Sequence, residues 1–191
     1  MTQAPLILGL DTTAGHCAAA LAHGDRVLAV QGEDMARGQA ERLMGLLQEV
    51  LAAGGADWAD LTALAVGVGP GNFTGIRIGV SAARGLALGL GIPAYGVTGF
   101  EARGLLAPAG RTVAIPAPRD MVYVLGMDGP ALVPMAEVSK PAPPPGAGDL
   151  AQAVARCAVA RWPEAAPPPA PFYIRAPDAA PARDAPPVLL L

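Results

Sequence analysis

The spacing of hydrophobic residues changes period several times in the first hundred positions, and each change marks a new element. Leu6–Leu10, Cys17–Ala22 and Arg26–Val30 are short apolar or alternating runs. Turn residues at Thr13–Gly15 and His23–Asp25 separate them, which predicts three strands in a meander. Over residues 34–53 the period becomes helical. Leu43, Leu46, Leu47, Val50 and Leu51 fall on one stripe, and Gly54-Gly55 ends it. A buried strand is then expected at Leu61–Gly69, a helix at Thr74–Leu90, a strand at Ile92–Val97 and a short helix at Thr98–Leu106. A meander followed by helix, strand, helix and strand predicts a mixed sheet with helices on its faces.

Beyond residue 107 this alternation stops. Fifteen of the 21 prolines lie from Pro130 onward, with clusters at Pro143–Pro145 and Pro167–Pro169. Arg111–Ala117 and Met121–Met127 can pair as strands, and Asp149–Arg161 can form one helix. Between and after them, proline forbids continuous secondary structure. The expected organisation is an α/β lobe over residues 1–107 and a reduced, proline-rich lobe over 108–191. An irregular tail is expected at Ala176–Leu191.

Composition narrows the function classes. With 191 residues and 52% hydrophobic content the chain can build a sizeable core. Arg77, Arg84 and many glycines cut the apolar stretches, so no uncharged apolar run of about 20 residues predicts a membrane span. The N-terminus has no basic region and its apolar run ends at Asp11, unlike a signal peptide. Cys17 and Cys157 are too few for a disulfide framework or a cysteine zinc site, and a cytoplasmic protein is expected. A net charge of −3 gives no global attraction to nucleic acid. Twelve of the 13 basic residues are Arg. Together with the abundance of Ala, Gly and Pro, this reads as a compositional bias of the source.

Two stretches carry candidate chemistry. In Leu8-Gly-Leu-Asp-Thr-Thr-Ala-Gly, an acid ends the first strand, and two hydroxyls and a glycine follow. Asp11 could hold a metal's water while Thr12 and Thr13 face a phosphate. The competing reading is a hairpin with an Asp/Thr turn. In Gly67-Val-Gly-Pro-Gly-Asn-Phe-Thr-Gly-Ile-Arg-Ile-Gly, a strand passes through a glycine turn into a helix, as in phosphate-binding loops. The stretch contains neither Gly-Lys-Ser/Thr nor Gly-x-Gly-x-x-Gly. Thr74 can cap the helix. Gly75, Gly79 and Ala83 recur every four positions and suit close packing, against the chain's own sheet or against a partner. Arg77 and Arg84 read as solvated charges, and Glu41 and Arg42 as flanks of the apolar stripe.

A self-sufficient active site is not visible. His16 and His23 lie in or beside turns and form no metal-ligand pair, so no metal site is expected. Ser81 and Ser139 are the only serines, and neither sits in a nucleophile elbow. Cys17 follows His16 on a strand, where neighbours point to opposite faces.

Several segments together resemble the TsaB (YeaZ) family of the bacterial tRNA threonylcarbamoyladenosine machinery. They are Ile7-Leu-Gly-Leu-Asp-Thr-Thr, Gln39-Ala-Glu-Arg-Leu-Met, Leu64-Ala-Val-Gly-Val-Gly-Pro-Gly-Asn-Phe-Thr-Gly-Ile-Arg-Ile-Gly and Gly85-Leu-Ala-Leu-Gly-Leu-Gly-Ile-Pro. The likeness covers residues 6–106, with an echo at Pro171-Phe-Tyr-Ile-Arg-Ala-Pro. It implies an actin/Hsp70/sugar-kinase-like fold with its first lobe intact. It also implies a non-catalytic subunit that pairs with the catalytic paralogue TsaD and works with the ATPase TsaE. ATP and a metal would then belong to the partner subunits, and tRNA would be reached only through the complex. Gln39-Ala40 stand where many members have His-Ser, Asn72 replaces the commoner Ser, and Ala117-Pro-Arg-Asp replaces Asp-Ala-Arg.

The resemblance places a helical interface on Leu43, Leu47 and Val50 of one helix and Gly75, Ile76, Gly79, Val80, Ala83 and Ala87 of the next. A homodimer through that surface is expected when the partner is absent. A metallopeptidase is rejected, because two scattered histidines cannot hold a metal. A free-standing kinase of the same fold needs a second phosphate loop and a catalytic carboxylate. Asp120, Asp128 and Asp149 lack that context.

Overall fold

The computed structural model describes residues 4–174. The expected irregular tail and the end of the echo at 171–177 lie outside the described residues. Strands β1 (Leu6–Asp11), β2 (His16–His23) and β3 (Arg26–Asp34) form the antiparallel meander. Strands β4 (Ala63–Gly67) and β5 (Ala94–Val97) add on in parallel, giving the order β3-β2-β1-β4-β5. Helices α1 (Gln39–Ala53) and α2 (Phe73–Leu90) cover one face, and α3 (Gly99–Leu106) follows β5. A small antiparallel sheet comes next, with β6 (Ile115–Pro116), β7 (Met121–Gly126) and β8 (Gly129–Pro134). Helix α4 (Ala147–Arg161) ends the element order. The architecture is mixed α/β, as the periodicity predicts.

Strand alternation sets the two cores. Leu8 and Leu10 of β1, Leu21 of β2, and Leu64 and Val66 of β4 face α1 and α2. Ile7, Ala63 and Ala65 face the other way, against Leu150, Val154 and Ala158 of α4, and Ala18 and Ala20 pack on Ala151. That second face is built of small side chains because α4 lies almost on the backbone of the sheet. A Cβ on Gly9 would come within 2.8 Å of the Ala155 nitrogen and 2.9 Å of the Ala151 oxygen. At these positions Ala and Gly are required by the packing.

The same packing concerns the helix expected in the second lobe. Helix α4 belongs by sequence to the second lobe, yet it covers the first lobe's sheet. Only the small sheet stands apart from that core, around Ile115 and Tyr123. Proline is also less disruptive there than expected. β8 carries Pro130 and Pro134, but it is an edge strand, where a missing N–H need not break a ladder. β3 runs past its expected end at Val30 to Asp34, where the helix was expected to begin. Gly32, Glu33 and Asp34 pair with Ala18, Cys17 and His16, and α1 begins only after Gly38 at φ 88°.

Arg42 fastens α1 to that edge strand. Its guanidinium donates to Glu33 (2.6 Å) on β3 and to Glu49 one face along the helix. Hydrogen bonding from Arg42, helped by Gln31, holds the Glu49 carboxyl down at about 2 against an ordinary 4.5. Arg42→Met should return the Glu49 titration toward 4.5, read by carboxyl carbon NMR. An unchanged midpoint would remove Arg42 as the cause.

Candidate functional site

The candidate site forms where β1 and β4 end side by side. Asp11 closes β1 and is buried, with Thr12 and Thr13. One carboxylate oxygen of Asp11 gathers three donors. The Thr13 N–H donates at 3.0 Å, the Thr13 hydroxyl at 2.9 Å, and His16 Nε2 lies at 2.7 Å. A carboxylate only accepts, so the imidazole carries its proton on that nitrogen. The Thr12 hydroxyl donates to the Gly75 carbonyl at 2.7 Å. Both threonine hydroxyls and one oxygen of Asp11 are engaged by groups of the chain itself. This corrects the phosphate-loop geometry: Asp11, Thr12 and Thr13 bond to the protein's own groups, as an Asp/Thr turn would.

The glycine string completes this junction. The Asn72 N–H donates to the Thr13 carbonyl at 2.6 Å, and the Asn72 side chain accepts from the Gly75 N–H at 3.0 Å. Asn72, rather than Thr74, is thus the cap of α2. A Cβ on Gly75 would stand 1.9 Å from the Thr12 carbonyl oxygen, and one on Gly71 2.1 Å from that of Thr13. At Gly79 the Thr12 hydroxyl would be 2.6 Å away. The small-residue row therefore faces the Asp-Thr-Thr turn of its own chain. Gln39 also braces the turn, donating to the Ala14 carbonyl at 2.8 Å.

The same reach decides the interface residues. Leu43, Leu47, Val50, Gly75, Ile76, Gly79, Val80 and Ala83 are all buried within this single chain. Ala87 is partly buried against the same core. They cannot form an exposed partner surface, which corrects that expectation. An amphipathic stripe in an α/β domain is first of all the face turned to its own sheet. What α1 and α2 leave outside is different: Met44 at 45% exposure, Leu88 at 86%, and open space beside Gly85 and Gly89.

A cleft of about 740 Å³ opens beside the junction, between the carboxyl ends of the strands and the small sheet. Thr13, Gly71, Phe73, Arg103, Tyr123 and Phe172 are among its walls. The last described residues close one side. The Phe172 N–H donates to the Val68 carbonyl at 2.8 Å, and Tyr173 stacks on Phe73 with ring centroids 4.9 Å apart. Arg77 lies 3.8 Å over the Phe73 ring and donates to the Tyr173 hydroxyl at 3.1 Å. It stays exposed, as the sequence suggested, and clamps this segment from the surface.

No nucleophile faces the cleft from Cys17. Burial, with a smaller push from Glu33, moves its thiol up to about 11, so it stays protonated at neutral pH. Among the described residues, no group of three or more His, Cys, Asp or Glu side chains converges as metal ligands. No helix among them is long and apolar enough to cross a membrane.

A family model described as TsaD: tRNA N6-adenosine threonylcarbamoyltransferase matches residues 10–125, a span that contains both the turn and the glycine string. The tRNA threonylcarbamoyladenosine biosynthesis protein TsaB of Escherichia coli is 40% identical over 92 residues, which cover 48% of this chain and 39% of that protein. The solved structure of YeaZ from Pseudomonas aeruginosa aligns with a TM-score of 0.63 at 26% identity, over 83% of this chain and 93% of that one. The chain belongs to the TsaB (YeaZ) family. An uncharacterised protein of Mycobacterium tuberculosis (strain H37Rv) is 33% identical over 94% of this chain and 96% of its own length. The chain thus spans about two fifths of the E. coli TsaB and nearly all of the mycobacterial relative. His16, Gln39 and the Asn72 cap are the site residues that spacing alone did not single out. Gln39 finds its partners 23 and 25 residues away, whereas the Asn72 cap acts locally on Gly75.

Proposed function

We propose that the chain is a cytoplasmic, non-catalytic subunit that binds a TsaD-like catalytic paralogue in forming threonylcarbamoyladenosine on ANN-reading tRNAs. A TsaE-like ATPase completes the assembly, and ATP and the metal sit on those partners. Family membership supports the pathway. The observation that carries the non-catalytic role is the engagement of the Thr12 and Thr13 hydroxyls and one oxygen of Asp11 by the chain's own groups. A catalytic acid or phosphate loop needs those groups aimed at a substrate. We further propose that the main sheet is the first lobe of an actin/Hsp70/sugar-kinase-like fold, a reading supported by a meander continued by two parallel crossovers.

The partner surface moves to the outer faces of α1 and α2, around Met44, Gly85 and Leu88. In that arrangement the buried stripe holds the helices on the sheet while the opposite face meets the paralogue. A homodimer through the same face forms when the paralogue is absent.

The test is reconstitution. The purified chain should capture the TsaD-like subunit, and the mixture with the ATPase should modify tRNA when given ATP, threonine and bicarbonate. The chain alone should not. Isolated, it should bind magnesium–ATP weakly or not at all by calorimetry. Micromolar binding lost in Asp11→Ala would support a stand-alone kinase instead and overturn this reading.

A further inference from the structure

We propose that the cleft beside the Asp11 turn binds a small organic anion, a carboxylate or phosphate group on a flat apolar body, with its charge held by Arg103. Among the described residues, the other partly buried arginines, Arg42 and Arg161, are paired, and the exposed Arg77 has a partner too. Arg42 reaches Glu33 and Glu49, Arg161 reaches Glu101 and the Gly96 carbonyl, and Arg77 reaches Tyr173. Arg103, on α3, is partly buried and forms no ion pair among the described residues. Burial works against its charge, and Asp11 offsets this only through space. One oxygen of Asp11 is occupied by Thr13 and His16.

Arg103 borders two cavities. Among the described residues, no buried side-chain nitrogen lacks a partner, so the donors of Arg103 keep access to solvent. Arg103 lines both the cleft and a smaller cavity of about 180 Å³ that it shares with Asp149, with which it makes no ion pair. A half-desolvated guanidinium without a carboxylate is a poor structural element and a ready anion site. Its planar fork matches carboxylate or phosphate in a bidentate way.

The rest of the cleft selects the body of the ligand. Its volume lies within the roughly 300–1,000 Å³ usual for small-molecule sites. Pro116, Pro118, Tyr123 and Phe172 offer rings and apolar edges. A bare hydrated ion leaves those walls wet, whereas a flat apolar group removes them from water. This inference does not rest on the tRNA-modification reading, and either can fail without the other.

The test is an NMR titration of the full chain with phenyl phosphate, benzoate, inorganic phosphate and benzyl alcohol. Phenyl phosphate and benzoate should shift the Tyr123 and Phe172 signals saturably, and the stronger of the two names the anionic group. Inorganic phosphate and benzyl alcohol should bind about tenfold more weakly or worse, since each supplies half of the recognition. Arg103→Met, which keeps the apolar stem, should weaken both aromatic anions by about tenfold or more. Arg103→Lys should fall between Met and wild type, and Arg84→Met, on the solvent side of α2, should bind as wild type. If Arg103→Met does not fold, Arg103→Lys carries the comparison. Absence of saturable shifts, equal binding of benzyl alcohol, or affinity unchanged at Arg103 would overturn the proposal.

Discussion

Gly75→Ala should destabilise the protein by about 3 kcal/mol or more, while Gly85→Ala in the same helix should stabilise it by about 0.5–1 kcal/mol. The chemistry of the two changes is identical, and only the surroundings differ. A methyl at Gly75 meets the Thr12 carbonyl at 1.9 Å, a backbone atom that cannot swing aside. Making room means lifting α2 from β1, which breaks the Thr12 hydroxyl bond to the Gly75 carbonyl and loosens the Asn72 cap. At Gly85 the methyl enters open space, and the helix loses the entropic cost of a glycine. Urea unfolding of both variants gives the contrast directly. For a domain of this size the opposite shifts should separate the melting temperatures by about 8 °C or more. Two variants of equal stability would mean that the glycine string does not seat α2 on the turn.

The sequence announced this junction only in part. The short apolar runs that became β1 and β2 and the helical stripes of α1 and α2 are local patterns, and local patterns read well. Gly75 and Gly79 were legible as a close contact, but not as a contact with Thr12, because the residue they approach is 63 or more positions away. The interface error has the same origin. A stripe such as Ile76, Val80 and Ala83 states that a face is covered, never by what, and a sheet in the same chain competes first for it. Helix α4 shows the converse. Its Ala-rich face looked like background composition until Gly9 and Ala18 were found beneath it. Arg103 was invisible for a physical reason too. Nothing in the order of residues tells which arginine folding half-buries without an ion pair among the described residues.

The corrected interface gives the second large effect, in a pair of glutamate substitutions on α2. Ala83→Glu should cost about 4 kcal/mol of folding stability, because Ala83 is fully buried and its carboxylate would lie unpaired among apolar side chains. Any loss of partner binding by that variant reports unfolding and nothing about the surface. Leu88→Glu should behave in the opposite way. Leu88 is 86% exposed, so its replacement should change stability by no more than about 0.5 kcal/mol. It lies one turn from Gly85, on the face that the sheet does not cover, where a large apolar side chain has no intramolecular neighbour to explain it. If the TsaD-like paralogue docks on this face, the charge would sit at the centre of a dry contact and weaken binding by about tenfold or more. Circular dichroism confirms folding, and calorimetry with the paralogue gives the affinity. Sedimentation shows whether the homodimer is lost in parallel. A folded Leu88→Glu chain that binds the paralogue as tightly as wild type would place the contact off α2 altogether, leaving the outer face of the small sheet, with Leu125 and Met127 exposed, as the next surface to probe.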